Sequence, residues 1–196
     1  MSARDDWRPT ASLERLAARA ELLGVLRDVF LRAGYWEVET PILSAEVGVD
    51  EHLEPFVTRA NDGSERFLQT SPEFGMKRLL AAGARMIYQV TRAFRRDESG
   101  PRHNPEFTML EFYCAHATYL DLMDLTEELV SGLAESVAGS TKVAYGELEL
   151  DFASPWRRAR MEDLVAEAAG VEDPWDVEAL QAAWRARNPD AEDLPD

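Results

Sequence analysis

One cysteine, Cys114, and three histidines are all the soft metal-binding chemistry in this 196-residue chain. A lone thiol cannot close an internal disulfide, and so few thiols and imidazoles cannot assemble a multidentate zinc cluster. A reducing, cytoplasmic setting is the simplest expectation. Positive charge is also scarce: 21 Lys and Arg stand against 37 Asp and Glu, a net charge of −16. At long range that balance repels phosphate backbones, which excludes broad, sequence-independent nucleic-acid binding. No stretch approaches 18 uncharged apolar residues, and the first twenty positions carry charges every few residues with no apolar run. Neither a membrane span nor a targeting segment is expected.

What is present is a 45% hydrophobic chain, enough for one domain with a sizeable core. Leu13, Leu16, Ala20, Leu23, Leu26 and Phe30 recur at spacings of three and four, which predicts a helix from Thr10 or Ser12 to Gly34. The pattern then switches to a strand over 35–41, interrupted at Pro41. Aromatic and β-branched residues predict further strands over 54–60, 66–70, 86–94 and 106–114, with a helix over 72–82 between two of them. Amphipathic helices are expected over 121–138, 161–169 and 177–186. Strands in the middle, flanked by helices without regular alternation, predict an α+β domain with a largely antiparallel sheet. Acid is concentrated over 171–196, and the final NPDAEDLPD reads as a loop or linker.

The densest chemistry lies in FRRDESGPRHNPEFTMLEFY, residues 94–113, read as a β-hairpin with a polar loop. Strand alternation would put Arg95 and Asp97 on one face, and Glu111 and Tyr113 on one face. An arginine fork suits phosphate oxygens, while carboxylates beside a phenol suit an ammonium group. These letters fit an exposed hairpin with cross-strand ion pairs equally well. Taken singly, His103 fits a solvated loop, Phe107 and Phe112 ordinary core aromatics, Glu73 a charge favouring a helix dipole, and Cys114 a buried small apolar residue. His52 suggests no chemistry and is read as structural.

The same stretch resembles motif 2 of class II aminoacyl-tRNA synthetases, and RHNPEFTMLEFY resembles its lysyl branch. The first helix with GYWEVETPIL, together about 12–43, is similar to motif 1, with Pro41 at its characteristic proline. LQTSPEFGMKRLLAAG, residues 68–83, resembles the lysine-recognition segment, in a TSPE form nearer to a paralogue than to ordinary lysyl-tRNA synthetases. With only about ten residues before motif 1, no anticodon-binding domain is expected. The chain is therefore similar to the elongation factor P lysine ligases, the GenX or PoxA type of lysyl-tRNA synthetase paralogue, over roughly residues 7–130.

The resemblance implies a class II synthetase catalytic fold that activates (R)-β-lysine with ATP and transfers it to a lysine side chain of elongation factor P, with no tRNA. It implies that Arg95 holds the α-phosphate and stabilises its transition state. Asp97, where the family usually has Glu, would meet the adenine with Arg96 beside it. His103 and Asn104 would lie near phosphates and ribose, and Phe107 would stack on the adenine. Ser71, Pro72 and Glu73 would bind the amino end of the substrate, and Glu111 with Tyr113 would complete the lysine pocket. The motif 1 helix implies a homodimer. A motif 3 of the GxGxDR kind and the acidic segment that would bind Mg2+ have no counterpart among these residues, so no metal ligand is assigned. The 196 residues are expected to be the N-terminal portion of a single, longer catalytic domain. Two alternatives stay open: a fragment of a lysyl-tRNA synthetase, and a noncatalytic module that pairs through motif 1.

Overall fold

A computed structural model describes residues 9–48 and 50–189. The acidic tail beyond Pro189 and the residues before Pro9 lie outside that description. The chain divides into two compact units, Met1–Ser154 and Pro155–Asp196.

Helix α1, Leu13–Arg32, starts where Ser12 caps it: the Ser12 hydroxyl accepts from the Arg15 N–H at 3.2 Å. It ends at Gly34, whose φ of +83° is a left-handed turn that glycine enters without a Cβ clash. Strand β1, Trp36–Glu37, pairs in parallel with β5, Met86–Phe94, which pairs antiparallel with β6, Glu106–Cys114. The sheet order is β1-β5-β6. A second antiparallel sheet is formed by β2, Leu43–Ser44, β4, Glu65–Leu68, and β3, Val57–Arg59, with β4 in the centre. Helix α2, Glu73–Ala81, follows β4, and α3, Tyr119–Ala138, follows β6. Thr118 and Asp121 close a capping box at the start of α3.

The β5–β6 ladder runs without a break from Met86 opposite Cys114 to Phe94 opposite Glu106. Its even positions form one face: Met86, Tyr88, Val90, Leu110, Phe112 and Cys114 pack with Leu26, Val29 and Phe30 of α1 and Leu129 of α3. Phe30 is the centre of this core. It is fully buried, stacked on Tyr88 with ring centroids 4.3 Å apart, and meets Tyr35 edge-on at 5.1 Å. Cys114 is half-buried against the cluster and has no disulfide partner.

Arg27 donates to both carboxylate oxygens of Glu37, at 3.1 and 3.0 Å, and the Tyr88 hydroxyl donates to Glu37 at 3.0 Å. One carboxylate thus ties α1, β1 and β5 together. Arg27 holds the Glu37 carboxyl below the usual glutamate range, while burial and the negative Glu37 push the Tyr88 hydroxyl up to about 12.

One hairpin is absent from the sequence reading: β7, Lys142–Tyr145, pairs with β8, Leu148–Asp151, across a turn in which Gly146 has φ +62°. In the second unit, α4, Met161–Ala169, and α5, Val177–Arg187, occupy the expected positions. Asp176 caps α5 by accepting from the Ala179 N–H. No described helix is long and apolar enough to cross a membrane.

Candidate active site

The odd positions of β5 and β6 form the other face of the sheet: Ile87, Gln89, Thr91 and Ala93 opposite Tyr113, Glu111, Met109 and Phe107. Ile87 and Gln89 are buried on this side too. Polar side chains tie it to neighbouring segments. The Thr40 hydroxyl donates to Gln89 Oε1 at 3.0 Å, and Gln69 Nε2 donates to Thr91 Oγ1 at 3.1 Å and to the Arg92 carbonyl at 2.8 Å.

Glu111 and Tyr113 share this face as alternation predicts, and the Tyr113 hydroxyl donates to Glu111 Oε1. Burial, then the hydrogen bond and charge of Glu111, and then the charge of Glu73 push the Tyr113 hydroxyl far above its ordinary value. Tyr113 is therefore a neutral donor throughout the physiological range. Glu73, the first residue of α2, acts on the same phenol from the facing element. Its backbone N–H donates to Ser71 Oγ at 3.2 Å, and its carboxylate pairs with Lys77 one turn along. Pro72 is fully buried before the helix. An acidic, phenol-lined corner thus joins Glu73, Glu111 and Tyr113.

Farther along the same face lies Phe107, with the Arg95 guanidinium 5.2 Å from its ring centroid. Arg95 Nε donates to the Thr70 carbonyl at 3.3 Å, and an outer nitrogen pairs with Glu98 at 3.2 Å. The expectation that Arg95 and Asp97 share a strand face is corrected here. β5 ends at Phe94, and both residues sit beyond it, Asp97 in a turn with Arg96. The cause is tertiary: the Arg95 N–H donates to the Pro105 carbonyl, but the Arg96 N–H turns to the Glu54 carbonyl and leaves the hairpin. Arg95 points inward. Arg96 pairs outward with Glu54 and Asp97, and the Asp97 side chain remains 67% exposed. The carboxylate beside Arg95 is Glu98. His103 and Asn104 are exposed in the loop, where Gly100 and His103 exchange backbone hydrogen bonds at 3.0 and 3.3 Å.

A cavity of about 290 Å3 lies beside this face, and of the predicted site residues only Ser71 lines it, with Thr40, Glu46, Thr70, Phe74 and Arg78 among its other walls. Two glycines permit its close packing. A Cβ on Gly75 would lie 2.8 Å from Thr40 Cβ, and one on Gly48 would lie 2.9 Å from the Phe74 ring.

The sequence reading passed over Thr40, Gln69, Thr70, Gln89 and Glu98. Gln89 alone gave a signal, as an amide within the otherwise apolar run MIYQV. Among the described residues no group of three or more His, Cys, Asp or Glu converges closely enough to hold a metal ion.

Comparison with known proteins identifies the family. Residues 5–188 match the tRNA synthetases class II (D, K and N). A lysine–tRNA ligase of Listeria innocua is 41% identical over 173 residues, 88% of this chain and 34% of the relative. The Lysinibacillus sphaericus lysine–tRNA ligase is 39% identical over 180 residues, 90% and 36% of the two chains. That of Thermotoga maritima is 40% identical over 170 residues, 85% and 34%. The chain spans about a third of the length of these curated relatives. With a class II match that takes in both helix α1 and the β5–β6 hairpin, the chain belongs to the tRNA synthetases class II (D, K and N) family.

Proposed function

We propose that this site activates a lysine-type amino acid with ATP. The observation that supports this reading is that Glu111, Tyr113 and Phe107 share one sheet face, with Glu73 of α2 acting on Tyr113 and the Arg95 guanidinium, just beyond β5, beside the Phe107 ring. Phe107 and Glu111 stand four positions apart on the strand, roughly 13 Å, a span that an amino acid joined to a nucleotide can bridge. In the reaction a substrate carboxylate oxygen bonds to the α-phosphorus of ATP, the bond to the β-phosphate oxygen breaks, and pyrophosphate leaves. Arg95 is fixed by the Thr70 carbonyl and faces the charge that develops on the α-phosphate oxygens. Glu111 and Glu73 hold the substrate's ammonium groups, with Tyr113 donating to Glu111. Asp97, His103 and Asn104 line the loop over the nucleotide end.

The relatives named lysine–tRNA ligase favour lysine as the amino acid and tRNA as the acceptor. A second reading takes (R)-β-lysine and a lysine side chain of elongation factor P. It is supported by the TSPE form of the segment, in which Ser71 both receives the Glu73 N–H and lines the cavity. A homodimer is part of either reading: Leu31 and Trp36, at 71% and 67% exposure, and Leu13, at 80% at the far end of α1, are apolar side chains left uncovered.

The two acceptors are separated by incubating the chain with radiolabelled amino acid, ATP and either bulk tRNA or elongation factor P. Label on tRNA supports the first acceptor and label on the protein supports the second. Label on neither, together with no pyrophosphate release, would leave the noncatalytic alternative.

A further inference from the structure

Gln89 lies on the site face with 3% of its surface exposed, directly across the ladder from Glu111. Side chains so placed have Cβ atoms about 5 Å apart. The Gln89 carboxamide is oriented. Its oxygen accepts from Thr40 Oγ1 at 3.0 Å, and Thr40 is held in turn by α2, which approaches it closely enough that Gly75 has no room for a Cβ. The amide nitrogen therefore faces away from Thr40. Among the described residues it has no hydrogen-bond partner, and since no fully buried side-chain N or O among them lacks one, it keeps a sliver of exposed surface. Glu111 shows the complementary deficit: its Oε1 accepts from Tyr113, and its Oε2 accepts from no described residue. A donor without an acceptor and an acceptor without a donor thus share one cross-strand pair.

We propose that Gln89 is a positioning residue that orients the Glu111 carboxylate for an ammonium-bearing substrate. When substrate enters, the amide N–H donates to Oε2 while the Tyr113 hydroxyl keeps Oε1. Both oxygens are then fixed, and their remaining lone pairs converge on the ammonium group. The choice of amide over acid follows from charge. A carboxylate at 89 would still accept from Thr40 but would put a buried anion opposite the half-buried Glu111 carboxylate, with no N–H to hold it. This inference rests on the reading that Glu111 meets the substrate.

The test is a double-mutant cycle in the 196-residue chain: Gln89→Glu, Glu111→Gln, and the swap that combines them and restores one amide opposite one carboxylate. Lysine-dependent ATP–pyrophosphate exchange gives the KM for amino acid and for ATP separately, and thermal midpoints are read for all four proteins. Gln89→Glu should raise the amino-acid KM at least about tenfold and leave the ATP KM within about twofold. The swap should exceed the product of the single effects on kcat/KM by about tenfold, the mark of direct coupling. Independent effects, or equal movement of both KM values, would overturn the proposal. If the wild-type chain exchanges with neither lysine nor β-lysine, the functional reading fails, and the pair is then decided by the thermal midpoints taken with and without saturating lysine. A lysine-induced rise that is lost in Gln89→Glu and restored in the swap upholds the Gln89–Glu111 coupling, and a rise that Gln89→Glu leaves unchanged, or no rise in the wild type, rejects it.

Discussion

Replacing Arg95 by alanine separates what this side chain does for the fold from what it does for chemistry. In the fold it makes one long hydrogen bond to Thr70, one ion pair with Glu98 and one ring contact with Phe107. The ion pair is between side chains 23% and 31% exposed, so solvent screens it only in part. Contacts of these kinds contribute about 0.5–1.5 kcal/mol each, and the truncation should cost about 2 kcal/mol of stability. A charged donor aimed at the reacting group is worth more in the transition state, about 2.7–4 kcal/mol, or roughly a 100- to 1000-fold loss of rate. Arg95→Lys should recover most of the stability and little of the rate, because a point charge cannot reproduce the guanidinium fork. Chemical denaturation and pyrophosphate exchange at saturating ATP measure the two quantities. An Arg95→Ala chain that melts near the wild type and exchanges within threefold of it would refute the assigned role.

Two further perturbations test the scaffold under the site. Phe30→Ala empties the fully buried centre of the α1–sheet core and should cost about 3–5 kcal/mol in urea unfolding, and a loss below 1 kcal/mol would contradict the packing described. Glu37, held below the usual glutamate range by Arg27, should make the fold sensitive to acid. The folded carboxyl is the stronger acid, so its stabilisation is complete above about pH 4.3 and is lost as the pH falls through the folded value. Glu37→Gln should flatten that acid limb in urea melts taken between neutral and acid pH, and an unchanged slope would show that Glu37 does not carry it.

Helix α1 was legible because its apolar residues repeat at helical spacing and Ser12 stands at its start. The strands Met86–Phe94 and Glu106–Cys114 were legible to the residue, since a Gly-Pro loop separates two runs rich in β-branched and aromatic side chains. That Glu111 and Tyr113 share a face followed from alternation, whereas their place in a lysine pocket came from the resemblance. Arg95 and Asp97 did not. Alternation holds only while a ladder continues, and the partner that ends it, the Glu54 carbonyl, lies 42 residues from Arg96. Thr70, which orients Arg95, is likewise 25 residues away. The β7–β8 hairpin was missed although VAYGELEL alternates around a glycine, because its strands are short and largely exposed and so lack the apolar density of buried ones.

Lysine-dependent ATP–pyrophosphate exchange on the purified chain, run with lysine, with (R)-β-lysine and with neither, tests the central claim most directly. Exchange that requires one of the two amino acids, and that saturates with it, is the predicted result. Absence of exchange with both, from a chain whose cooperative melt shows it folded, would contradict the claim that this sheet face activates a lysine-type substrate.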